Sequence, residues 1–378
     1  MQRVLVVTAM TALVAVPACG SGDGSDPNTK AKPSTTAPVA TTTTAPPRTD
    51  VYAYTRAGML AASIRDVPAR VYVPNGHSST VTVIDPATFQ VVNSFPVDAL
   101  PQHVVPSYDL QTLYVNNNNG NTLTPIDPRT SLPGPAIPVD DPYNLYFTPG
   151  GKYAAVMAER NSQIDFRDPV TWELVKSVEI PHRGINHADF TADGSTMIAS
   201  CEFSGWVVRI DLATLAYTGE VEVGGEPIDV RLSPDGSKVY VANHVKGGGG
   251  VSVVDPLTMT ELAFVPTAAG AHGLSPSRDA TALYVTNRAA GSVSVIDFAT
   301  DAVVSTWVIP GGGSPDMGGV SSDGTQFWVS ARYHDVVYVF DTADGHLLAT
   351  IPVGHGPHGL AYFPQPGRYS LGHTGNYR

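Results

Sequence analysis

An all-β fold, a seven-bladed β-propeller of four-stranded antiparallel blades, is predicted by three features. A strand-like run ending in Asp recurs seven times, at spacings of 42, 41, 43, 44, 42 and 44 residues, about the length of one blade. Glycine (36 residues) and proline (32) are abundant, and neither suits a helix interior or a central strand, so short strands joined by turns fit best. Hydrophobic residues make up 42% of the 378-residue chain and charged residues only 15%, enough apolar surface for a large core and too little charge for general disorder.

The Asp-terminated runs are Val81–Asp85, Leu123–Asp127, Gln163–Asp168, Val207–Asp211, Val251–Asp255, Val293–Asp297 and Val337–Asp341. Each is the third strand of its unit. The inner strand comes first, as in Asp229-Val-Arg-Leu-Ser233, and leads into a turn such as Pro234-Asp-Gly236, where Gly accepts the positive φ of a tight hairpin. The second strand follows, rich in β-branched and aromatic residues: Leu113-Tyr-Val-Asn-Asn117, Val239-Tyr-Val-Ala-Asn243, Leu283-Tyr-Val-Thr-Asn287. The terminal Asp of the third strand is expected to accept backbone N–H groups in the next turn, often written Asp-x-x-Thr, before an outer strand such as Val303–Trp307. The repeats begin at a second strand, Val71–Val73, and end with a surplus inner strand, Pro357–Phe363, so the C-terminal inner strand is expected to join blade one and close the ring.

These second strands resemble the Tyr-Val-Thr-Asn signature of the YVTN-repeat β-propeller family, with Tyr284–Asn287 matching it to the letter. The resemblance covers all seven units from about residue 69 to 363; blades three and four, with Ala155–Ala158 and Ile198–Cys201 in that place, depart from the signature. It implies a bacterial, often exported propeller, related in shape to the haem propellers of nitrite reductases and to lactonase propellers. It does not by itself give a reaction.

Three segments are expected along the chain. Residues 1–18 read as a signal peptide: Met1-Gln-Arg3 is a positive start, and Val4–Val16 is an apolar run too short to span a bilayer comfortably. The run leads into Val16-Pro-Ala-Cys-Gly20, which resembles a lipobox with Cys19 as the lipidated residue; Pro17 departs from the commonest pattern and leaves cleavage after Ala18 without lipidation as the alternative. Residues 19–49 are rich in Gly, Ser, Thr and Pro and read as a disordered spacer, placing the propeller (50–378) on the extracytoplasmic side of the cell membrane. A net charge of −12 disfavours a nucleic-acid partner.

The residues that begin the inner strands should meet around the central channel. Counting back from each second strand gives His103, Asn144, His187, Asp229, His272, Asp316 and His358, all polar, including four of the eleven histidines. Antiparallel pairing brings the residue after each second strand to the same face. There stand Glu159 and Glu202 in blades three and four and His244, Arg288 and Arg332 in blades five to seven, so the face is expected to be negative on one side and positive on the other.

Three chemistries suit such a ring. Its polar residues fill a solvated channel; or adjacent His and Asp hold a transition metal (Zn, Cu, Ni or Fe); or the ring binds an organic ligand, with His as acid or base and Arg288 and Arg332 on an anion. The expected function is therefore binding or scaffolding, with a small polar ligand or metal at the channel mouth. The alternatives are a metal-dependent, lactonase-like hydrolase, an oxidoreductase accessory protein, and a platform for a protein partner. Cys201, beside Glu202, is read as a small core residue.

Overall fold

The computed structural model describes residues 50–373 and 375–378. The expected signal peptide, Cys19 and spacer lie outside them. No described helix is long and apolar enough to cross a membrane.

Seven antiparallel sheets surround a central channel, six of four strands and one, blade 2, of five. Blade 1 is closed as the repeat count requires: Ala361–Phe363 pairs with the second strand of blade 1, with Arg70 opposite Phe363 and Tyr72 opposite Ala361. Blade 2 departs from the simple pattern. Its outer strand is split into Leu132–Pro133 and Ile137–Pro138, where the prolines lack the N–H a ladder needs, although Gly134 N still donates to Pro125 O at 2.8 Å.

All seven third strands end as the sequence suggests. An Asp carboxylate accepts backbone N–H groups in each following turn, from Asp85 (Ala87 N, 2.9 Å) to Asp341 (Ala343 N, 2.8 Å), by way of Asp127, Asp168, Asp211, Asp255 and Asp297. Four residues after each Asp the chain passes through a left-handed conformation, at Phe89, Ser131, Trp172, Leu215, Met259, Asp301 and Gly345. The signature asparagines have a structural task too: the Asn75 amide donates to Thr80 and Thr82, and that of Asn117 to Thr122 and Thr124, clasping second strand to third.

The core is seven apolar layers, each between two neighbouring blades. Alternate residues of a strand face opposite sides, so a blade sandwiched between two others needs apolar groups on both. Val71 and Val73 pack toward blade 7, whereas Tyr72 packs toward blade 2. That is why the strands read as continuous apolar runs. Cys201 lies in the layer between blades 3 and 4, fully buried, and burial pushes its thiol up.

The segments outside the repeats lie on the face where the inner strands end. Tyr52 donates its hydroxyl to Leu232 O, Val51 N bonds Pro234 O, and Leu60 bridges Gly367. The C-terminal tail crosses the channel there: Phe147 N bonds Leu371 O, Asn376 donates to Ala188 O, and the Arg378 guanidinium pairs with Asp189 at 2.8 Å.

Candidate functional site

The inner strands begin at the opposite face, and each carries the same irregularity near its start. In blade 2, Pro101 pairs with Asn117 and Val104 with Val115, so Gln102 and His103 together oppose the single residue Asn116. Equivalent breaks stand at Asn186–His187, Ile228–Asp229, His272–Gly273 and Asp316–Met317. A β-bulge of this kind re-aims side chains. The candidates therefore occupy two adjacent positions rather than one. His103, Asn144, His187 and Asp229 take the second residue of the bulge; His272, Asp316 and His358 take the first, sharing it with Gln102, Tyr143 and Asn186.

The first positions form the mouth. A cavity of about 240 Å³ is lined by Gln102, Tyr143, His272 and His358 together with Glu159, Glu202, Arg288 and Arg332. His244 stands beside it, its ring 6.3 Å from that of His272. The expected placement of the groups is present, with carboxyl groups from blades 3 and 4 and guanidinium groups from blades 6 and 7. Asp316 is the charge centre of the floor: His272 Nδ1 lies 2.8 Å from it, His358 Nδ1 3.2 Å and Arg288 3.4 Å. Burial pushes its carboxyl up, but His272, His358 and Arg288 together hold it well below the usual range. His272 is pushed down to about 3, chiefly by burial and then by Arg288, so its imidazole is neutral.

Glu159 and Glu202 meet at Asn186, whose amide donates to Glu202 at 2.6 Å and to Glu159 at 3.4 Å. Burial raises Glu159 to about 8, with Glu202 adding to the shift, and raises Glu202 to about 7 against the pull of Arg288. Both pKa values lie above the ordinary 4.5, so the folded state holds protons that the unfolded chain releases. The stability this contributes is complete below about pH 4.5 and is lost as pH rises through 7 and 8. Asp141, Arg160, Glu226 and Asp316 also act on the pair. The melting temperature is expected to fall between pH 6 and 8.5, and the slope to flatten in Glu159→Gln; an equally steep decline in that variant would contradict the assignment.

The second positions form a deeper, closed layer. Two members are committed to structure. Asp229 accepts Val230 N and Arg231 Nη1 on one oxygen, each at 2.9 Å, and Leu274 N at 2.8 Å on the other, bracing blade 5 to blade 6. Asn144 bonds Leu145 N and the Tyr146 hydroxyl.

The other two, His103 and His187, converge with a residue that the repeat count did not reach. His373, on the C-terminal tail, rises between them, and one ring nitrogen from each of the three lies within 4.8 Å of the others. The ring centroids are 5.1 Å apart for His103 and His187, 4.8 Å for His103 and His373, and 5.5 Å for His187 and His373. All three are buried, and burial holds each imidazole well below its ordinary pKa, in the neutral form. Both nitrogens of His103, Nε2 of His187 and Nδ1 of His373 have no hydrogen-bond partner. Each orphaned nitrogen costs about 1–3 kcal/mol in a protein interior. His373 carries no repeat signal; its Leu-Gly-His setting in an unassigned tail gave no sign of the channel.

No curated protein sequence matches this chain. Its fold resembles that of solved propellers. A functionally unknown protein from Desulfotomaculum acetoxidans aligns with a TM-score of 0.67 and 17% identity, over 78% of this chain and 98% of that one. Dihydro-haem d1 dehydrogenase NirN in complex with DHE aligns with a TM-score of 0.61 and 15% identity, over 81% and 77%. Hydrazine synthase from Kuenenia stuttgartiensis aligns at 0.56 and 17%, over 68% and 87%. Identities this low establish a common fold and nothing of activity. The sequence model of the YNCE-like β-propeller family matches residues 43–366, which take in the whole of the repeat region, and the chain belongs to that family.

Proposed function

We propose that this protein is an exported, lipid-tethered binding propeller that takes a small polar ligand, or a transition metal, at the mouth of its channel. The observation that carries this reading is the cavity of about 240 Å³ with Glu159 and Glu202 on one side and Arg288 and Arg332 on the other. A preformed concave site with a few convergent polar groups is the usual form of a small-molecule site, and this one suits a ligand with an amine at one end and a carboxylate at the other. A cationic group arriving beside Glu159 and Glu202 favours their ionised forms, and a carboxylate beside Arg288 and Arg332 completes the charge match. Export and tethering rest on the sequence of residues 1–49.

The α,ω-amino acids of two to six carbons test the span of the site. At least one member is expected to raise the melting temperature in a saturable way, while the matching monoamines and monocarboxylates do not, and Arg288→Gln is expected to abolish the shift. A series without effect would remove this reading. In cells, Cys19→Ser is expected to move the protein from the membrane to the soluble extracytoplasmic fraction.

One contact favours a hydrolytic second reading. Neutral His272 beside the ionised Asp316 is a base-and-orienter arrangement opening onto the cavity. Turnover of simple lactones or aryl esters that is lost in His272→Ala would support it.

A further inference from the structure

We propose that His103, His187 and His373 together hold one divalent transition metal ion beneath the mouth, so that the C-terminal tail completes a site begun by blades 2 and 4. This rests on the reading of the channel as a binding site and assigns it a ligand set in which His103 and His187 come from the repeats and His373 from outside them.

The donor set is suited to the ion. Three neutral imidazoles fit zinc, copper, nickel or iron(II) better than magnesium or calcium, which prefer oxygen ligands. Three protein ligands with one position left over is also the pattern of zinc sites that do chemistry. Zinc–nitrogen bonds of about 2.0–2.1 Å draw ligand nitrogens closer together than the 4.8 Å found here, so the rings must close in slightly around the ion.

His187 is already set for ligation. Its Nδ1 lies 3.1 Å from Asn186 Oδ1, which has only lone pairs to offer because Nδ2 of the same amide faces the carboxyls of Glu202 and Glu159. Nδ1 therefore carries the proton, and the orphaned Nε2 presents its lone pair. The same asparagine links the deep layer to the carboxyl groups of the mouth.

The tail is positioned for the task. Gly372, at φ +140°, lies so close to blade 3 that a Cβ there would come within 2.6 Å of Tyr146 and 2.7 Å of Leu145 O. Asn376 N bonds His373 O at 3.0 Å, and the Asn376 side chain bonds Ala188 O at 2.9 Å. These contacts hold the His373 backbone from both sides. On the mouth side, Tyr143 and His358, which line the cavity, contact the His103 ring at centroid distances of 5.5 and 4.8 Å. His358 is engaged elsewhere, with Nε2 3.2 Å from the Tyr143 hydroxyl and Nδ1 beside Asp316.

The test is cobalt(II) and zinc binding to the full mature chain, purified without a His tag. Wild type is expected to bind one cobalt(II) tightly, with visible bands of a low-coordinate nitrogen site, and affinity is expected to fall on the order of 100-fold or more in His373→Ala and in His187→Ala. His355→Ala, at an exposed histidine outside the channel, should retain the spectrum. X-ray absorption of the wild-type zinc form is expected to count three imidazoles, a readout independent of whether any variant folds. Absence of tight binding, fewer than three imidazoles, or loss of cobalt in His272→Ala but not in His373→Ala overturns the assignment. The amino-acid melting series, run on metal-free wild type, fails or succeeds separately and so distinguishes failure of the mouth reading from failure of this one.

Discussion

Arg231→Met is expected to destabilise the protein by about 3–5 kcal/mol, the range for breaking a buried ion pair from one side. Arg231 is 0% exposed and its guanidinium lies 2.9 Å from the Asp229 carboxylate, itself 1% exposed. Removing the cation leaves the carboxylate in the interior with the N–H groups of Val230 and Leu274 and, at 3.9 Å, His373 Nε2. Burial already raises Asp229 to about 6 in spite of Arg231, so without the arginine the side chain is driven further toward the protonated acid. Adding Asp229→Asn to the methionine variant removes the stranded charge and keeps an acceptor for Leu274 N, so much of the loss should return. Urea unfolding of the two variants checks this; a loss below about 1 kcal/mol for Arg231→Met would mean that the pair contributes little.

Gly359→Ala is expected to cost about 3 kcal/mol and to disturb the histidine layer, through overpacking rather than charge. A Cβ at this position would lie 1.9 Å from His103 Nδ1. The backbone cannot yield easily, because Gly359 N bonds Gln102 O and Val104 N bonds Gly359 O, stitching the closing segment of blade 1 to blade 2. The ring cannot yield easily either, since Tyr143, His187, His358 and His373 pack around it. Thermal unfolding and cobalt(II) titration of the same variant are expected to show both losses. A variant with unchanged stability and unchanged metal affinity would contradict the packing described for His103.

Both substitutions probe the closed layer, the lower of the two that the bulges build. The bulge at the start of each inner strand turns consecutive side chains toward the axis, so a single blade supplies one group to the mouth and the next to the closed layer below. Blade 2 contributes Gln102 above and His103 below; blade 4 contributes Asn186 above and His187 below. In blade 1 the second place is Gly359, and it is the missing side chain there that leaves room for His103.

The amino-acid sequence determined the fold and the face of the site. Strand period, the seven Asp turn caps and the surplus inner strand are local signals repeated seven times, and repetition makes even a weak signal legible. The placement of these groups at the mouth was legible for the same reason, because Glu159, Glu202, Arg288 and Arg332 follow directly on strands whose ends are marked. Tertiary structure alone decided three things. It split the apparent ring into two layers, since a bulge adds one residue to a strand without leaving a distinct composition. It gave Asp229 a bracing role, which depends on Leu274 N reaching it from the next blade, a contact that spacing does not encode. And it brought His373 to the channel: a tail outside the repeat has no periodic phase, and its place follows only from the way it packs across the end of the closed ring.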